Sequence, residues 1–152
     1  MPYPIVEKIA QNMFDTLRLI STANGYENDV TVERSKQHGN DLTDRKLVLA
    51  QDEASKTPEP PQAHVGWQQP FWIHCTVMES ESSAVAIDTR INTIRADVEK
   101  VLRVDPTRGN LAVDTIIADP VLVGDETTDS VTGIVVQAVV QYRTLENDPY
   151  NQ

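Results

Sequence analysis

Val131-Thr132-Gly133-Ile134-Val135-Val136-Gln137-Ala138-Val139-Val140-Gln141-Tyr142-Arg143-Thr144-Leu145 reads as one very long strand. Its centre, Ile134-Val135-Val136, is apolar without a break, which predicts a segment covered on both faces. Beyond it, Gln137, Val139, Gln141 and Arg143 alternate with Ala138, Val140 and Tyr142, the period of two that marks a strand. Fifteen residues at ~3.4 Å each reach about 50 Å, longer than the usual strand. Such a strand either bends at a bulge near Gly133 or projects past its own sheet.

Working upstream, Ile87, Ile91, Ile94, Val98 and Val101 or Leu102 recur at helical spacing, so a helix is expected from about Ser83 to Arg103. Glu79 to Ser83 supplies acids and serines suited to its N-cap. Asp105-Pro106 and Arg108-Gly109-Asn110 form the turn after it, and a strand follows at about Leu111–Ala118. The first helix carries its stripe on Ile5, Ile9, Met13, Leu17 and Ile20 and is expected from Pro4 to Thr22, where Asn24-Gly25 closes it. Short strands are expected at Val30–Arg34 and Lys46–Gln51, pairing back antiparallel across the polar Ser35–Arg45 segment. Phe71–Met78 is a further strand, with Phe71, Ile73, Cys75 and Val77 on one face. Between them, Asp52 to Gln69 carries Pro58, Pro60 and Pro61 and is expected to be a long Pro-rich loop, neither helix nor central strand. The whole is an α+β domain spanning 1–152, a mostly antiparallel sheet of about five strands with two helices on one face.

Composition narrows the function. Thirteen basic and twenty-three acidic residues give a net charge of −10, which argues against tight nucleic-acid binding, since gripping phosphates takes clustered cations. Cys75 is the only cysteine, so no internal disulfide forms. The opening Met-Pro-Tyr-Pro-Ile has no signal-peptide pattern, and no apolar run nears the ~20 residues that span a bilayer, so no membrane partner is expected and manufacture in the cytoplasm follows.

Nor does the chain display catalytic chemistry. His38, His64 and His74 are scattered, and His74 and Cys75, as strand neighbours, point to opposite faces and do not share a metal. Ser82-Ser83 lacks a nucleophile elbow, and the isolated glycines build no phosphate-cradling loop, so neither an enzyme nor a cofactor is expected. Asp88, Asp97 and Glu99 interleave with Arg90, Arg95 and Lys100, which reads as a solvated helix face. Trp67 and Trp72 flank Gln68-Gln69-Pro70 and either mark an interface or cover the sheet.

Three stretches carry a family resemblance. They are the opening helix through Thr22-Ala23-Asn24-Gly25-Tyr26 with the strand Val30–Arg34; the second helix leading into Val101-Leu102-Arg103-Val104-Asp105-Pro106-Thr107-Arg108-Gly109-Asn110; and the closing Gln141-Tyr142-Arg143-Thr144 with Asp148-Pro149-Tyr150. Together the chain resembles the tail terminator (tail completion, or minor tail) proteins of long-tailed bacteriophages. The resemblance implies a non-catalytic virion protein of the tail and neck. It forms a homohexameric ring, caps the head-proximal end of the tail tube, ends tube polymerisation, and meets the head–tail connector. Gln141, Arg143 and Tyr150 in the third of these stretches, with the Trp67 and Trp72 already singled out, are the candidate interface residues. The competing readings are a head-side stopper or adaptor of the phage neck, or a non-viral small-ligand or peptide-binding α+β module.

Overall fold

A stripe of apolar residues one helical turn apart nucleates the first layer: α1 (Ile5–Leu17) buries Ile5, Ile9, Ala10, Met13 and Leu17. The computed structural model describes residues 2–35, 43–57, 64–78, 85–124 and 131–152. Pro4 offers no side-chain cap, and the first free amide, Ile5 N–H, donates instead to Pro149 O at 3.0 Å, so the chain's last residues close the helix start. The helix stops at Leu17, short of the expected Thr22. Leu19 and Ile20 close onto Thr16 O and Leu17 O by three-residue bonds, and that tighter winding keeps Ile20 buried and prolongs the apolar periodicity past the helix. A single 3-10 turn, Thr22–Asn24, follows, and Gly25 ends it at φ 86°.

Among the described residues, seven strands form one mixed sheet: β1 (Thr31–Arg34), β2 (Lys46–Gln51), β3 (Ser55–Thr57), β4 (His64–Met78), β5 (Asp114–Ile117), β6 (Val121–Gly124) and β7 (Val131–Leu145). Their order is β1-β2-β4-β7-β5, with β3 also on β4 and β6 also on β7. The spine is an antiparallel ribbon of β4 and β7, paired without interruption from His64↔Leu145 to Met78↔Val131. The long last strand therefore neither bulges at Gly133 nor projects. An equally long partner accompanies it, and Gly133 sits in register opposite Thr76. Its apolar centre is buried, Ile134 and Val136 in the core on the helix side and Val135 on the opposite face beside His74.

The pattern of β4 corrects the Pro-rich loop at 52–69. Within it, β3 pairs with Gly66–Gln68, and β4 already begins at His64; Pro58, Pro60 and Pro61 lie outside the described residues. Pro70 sits in mid-strand opposite Val139 and accepts a bond from Asp52 N–H. A residue's amide and carbonyl point to the same side of a strand, so the donor that proline lacks falls at the gap between β2 and β3, where no ladder needs it.

A second correction concerns β1 and β2, which run parallel, Thr31 beside Lys46 and Arg34 beside Leu49. Alternation assigns faces but carries no direction, and the same faces result either way. Parallel pairing brings Arg34 to Glu7 of α1 at 2.6 Å and Lys46 to Glu33 at 3.0 Å.

The second helix, α2 (Ile87–Val104), starts later than the expected Ser83, with Ala86 before it; residues 79–84 lie outside the described residues. Ile91, Ile94, Val98, Val101 and Leu102 join α1 and the inner positions of β2, β4 and β7 in one core. The charged face expected to be solvated is partly buried. Arg90 donates to Met78 O at 2.6 Å and to Asp44, and Asp97 receives the amides of Glu27 and Asn28. Buried charges survive only when bonded, and both are. The strand expected at Leu111–Ala118 shortens to β5, whose other end is replaced by turn.

Candidate functional site

Alternation along β4 sends Cys75 into the core and His74 to the opposite, open face of the sheet. Burial pushes the Cys75 thiol up to about 12, and desolvation holds His74 below the usual histidine range. His64 is exposed at the start of β4, while His38 lies outside the described residues. Among the described residues, no group of three or more His, Cys, Asp or Glu side chains is placed to hold a metal ion. Among the same residues, no helix is long and apolar enough to cross a membrane.

The turn after α2 is built around one carboxylate. Asp105 accepts Thr107 N–H at 3.0 Å, Thr107 Oγ1–H at 2.6 Å and Gly109 N–H at 2.8 Å, which together fold Arg108, Gly109 and Asn110 into successive left-handed conformations with φ 51°, 69° and 66°. The Thr107 hydroxyl, then the Gly109 amide, hold Asp105 below the usual carboxylate range. This winding turns Arg108 inward until it is fully buried. Its guanidinium donates to Leu102 O at 2.5 Å and to Asp105 O, capping the free carbonyls at the end of α2. The third contact is to Met13 Sδ at 3.6 Å, and Nε has no hydrogen-bond partner among the described residues.

Between this turn and the outer face of α1 opens a cleft of about 420 Å³, lined by Tyr3, Lys8, Asn12, Asp15, Arg108 and Gly109 among others. Sequence reasoning missed it. The only signal was the polar side of the α1 stripe together with Arg108-Gly109-Asn110, which reads as a bare turn.

The five residues singled out as interface candidates do not converge. Trp67 lies on the helix side of β4, stacked on Tyr142 with centroids 6.4 Å apart; its Nε1–H donates to Thr144 Oγ1 at 3.0 Å, and Lys56 Nζ lies 5.4 Å from its ring centroid. Trp72 lies on the open face, and its Nε1–H donates to Asp52 Oδ2 at 2.9 Å. Gln141 and Arg143 occupy that open face too, opposite Gln68 and Gly66. Tyr150 is exposed in the segment beyond β7. No family model matches the chain, and no curated protein matches it.

What the fold leaves accessible is therefore the open sheet face and the two outer edges. The open face carries Val48, Ala50, Trp72, His74, Gln137, Val139 and Gln141, with both helices on the other side. Among the described residues, one edge is β1 and the other is β5 followed by β6, both paired only to β7. Exposed apolar side chains gather along the second edge: Val113, Ile116, Val121 and Leu122 are each at least 45% exposed. From Gly109 to Tyr142 the sequence holds five acidic residues and no Lys or Arg, whereas Thr31 to Gln51 holds four basic and three acidic residues.

Proposed function

We propose that this chain is a non-enzymatic structural subunit that assembles with copies of itself into a six-membered ring. In this reading the ring caps the head-proximal end of a bacteriophage tail tube, ends its polymerisation and joins it to the head connector, so the protein resides in the virion neck. The observation that carries the reading is that, among the described residues, the sheet is open at both edges and has helices on one face only. Such edges call for covering, and a neighbouring subunit is the economical cover. A heterologous contact between different surfaces closes into a ring when the rotation permits. The order of elements, a helix, paired strands, a second helix and a closing long strand, agrees with the resemblance to tail terminators. A head-side adaptor, as a helical protein, or a stopper, as a small barrel, fits an open seven-stranded sheet less well.

Negative-stain images of concentrated protein test the ring, and mixing with polymerising tail tubes tests the cap. The reading expects closed rings and density at one tube end only. An isologous dimer at every concentration, with tubes that lengthen unchecked, overturns it.

The cleft beside Arg108 favours a second reading, a small-ligand or peptide-binding module. Native mass spectrometry separates the two, because a retained small molecule on a monomer belongs to the second alone.

A further inference from the structure

We infer that the β5–β6 edge of one copy pairs with the β1 edge of a second copy of this chain, extending the sheet antiparallel from subunit to subunit. The inference rests on the self-assembly part of the proposed function and specifies the surfaces that meet.

Strand directions supply the first argument. β1 runs with β2, β4 opposes β2, β7 opposes β4, and β5 and β6 oppose β7. The two outer edges of one sheet therefore point in opposite directions. A copy carried into place by rotation about an axis along the strands sets β5–β6 antiparallel to β1, the pairing with the straighter hydrogen bonds. The lengths agree as well, since β1, β5 and β6 each span four residues.

Side chains supply the second. Ile116 and Val121 stand on the open face of the sheet, opposite Val139 and Val135 of β7, and both are about half exposed. They extend the apolar row of Val135 and Val139 out to the edge, where a neighbouring strand covers them. On the other edge, Thr31 and Glu33 share that open face, beside Lys46 and Val48.

Charge then decides which edge meets which. The β5–β6 edge carries Asp114 and Asp119 within a stretch that has no Lys or Arg from Gly109 to Tyr142. Two such edges placed together set acid against acid. The β1 edge carries Arg34 paired with Glu7, Arg45 beside Asp44, and Glu33 on the buried Lys46, a mixed surface that an acidic edge approaches without that penalty. The contact is accordingly between unlike edges, and it repeats from copy to copy.

Disulfide trapping tests this in the full chain. Cys75 is buried with its thiol pushed up to about 12, so the native cysteine stays out of the reaction. Single variants Thr31→Cys, Ile116→Cys and Val121→Cys are oxidised alone and in mixtures, with protein concentrated as for imaging. The expected result is a reductant-sensitive dimer when Thr31→Cys is mixed with Ile116→Cys or Val121→Cys, none from any single variant, and a ladder from a chain carrying one cysteine on each edge. Dimers from Ile116→Cys or Val121→Cys alone overturn the inference, because they report like edges meeting. Rings in the images without any mixed-edge product overturn the edge assignment and leave the proposed function standing. A ladder accompanied by open filaments leaves the edge assignment standing and overturns the ring. Neither rings nor product overturns both.

Discussion

Asp97 and Asn28, 69 residues apart in the chain, are joined twice: Asp97 Oδ2 accepts the Asn28 backbone N–H at 2.9 Å and its side-chain Nδ2–H at 2.8 Å. The same carboxylate takes Glu27 N–H at 3.1 Å, so one buried acid on α2 satisfies the turn that leads from α1 into β1. Lys100, a turn further along α2, donates to Gly25 O at 3.1 Å and lies 4.8 Å from the Tyr26 ring centroid. Together these contacts clasp residues 25–28 against the helix.

Removing the acid strands buried amides, the costly case for hydrogen bonds. Asp97→Ala is expected to destabilise the fold by about 3 kcal/mol, visible as a lower urea midpoint with the slope unchanged. Asp97→Asn keeps one acceptor oxygen and should lose roughly half as much. A loss below about 1 kcal/mol for the alanine variant shows that water replaces the carboxylate and that the clasp is weak.

Arg108 poses a different question, because its buried guanidinium donates to the carbonyls of Leu102 and Asp105. Burial accordingly lowers its pKa, with Asp105 opposing that shift. Arg108→Ala removes the helix cap and opens a cavity beside Met13, and a cost of about 3–5 kcal/mol is expected. Arg108→Met fills the same space without the charge and should cost clearly less. Equal losses, read from thermal or urea midpoints, mean that the capping bonds rather than the packing carry the effect.

Acid sensitivity follows from Asp105. Its folded pKa lies below the ordinary 3.8, so its contribution is present above that value and is lost as the pH falls through the lower folded value. The melting temperature should therefore decline below about pH 4 more steeply for the native chain than for Asp105→Asn, which keeps the shape but does not titrate. Parallel acid limbs for the two proteins assign the decline to other carboxylates, among them Asp52 and Asp148, which hydrogen bonds also hold low.

The elements that the sequence displayed well were those whose pattern and packing agree. β7 was legible to its end residues because alternation, apolar centre and length all point to a strand. The α1 and α2 stripes likewise named the buried core. β3 was not legible: Ser55-Lys56-Thr57 is polar and largely exposed, and only pairing with Gly66–Gln68 makes it a strand. The parallel β1–β2 pair was hidden because alternation is blind to direction. Arg108 and Asp97 escaped because a charge in a turn or on a helix reads as solvated until its buried partners, remote in sequence for Asp97, are known. The candidate residues Trp67 and Trp72 flank the same short segment yet fall on opposite faces, since five positions of alternation separate them.

Nucleic acid supplies the last test. An acidic chain binds duplex only if folding gathers its cations into one stripe, and Lys36, Arg45, Lys46 and Lys56 are the candidates. Lys36 lies outside the described residues, and the other three do not form such a stripe. Arg45 lies 3.8 Å from Asp44, Lys46 is buried against Glu33 at 3.0 Å, and Lys56 sits over the Trp67 ring on β3. Duplex binding at physiological salt, even the non-specific kind near ~10⁻⁴–10⁻⁶ M, draws on clustered cations that release counterions. The concentrated protein is therefore expected to leave the fluorescence anisotropy of a short labelled duplex unchanged up to tens of micromolar, on the order of the middle of that range. Micromolar binding that weakens steeply with added salt points to a cationic surface formed between subunits, and Arg45→Glu and Lys56→Glu then locate it.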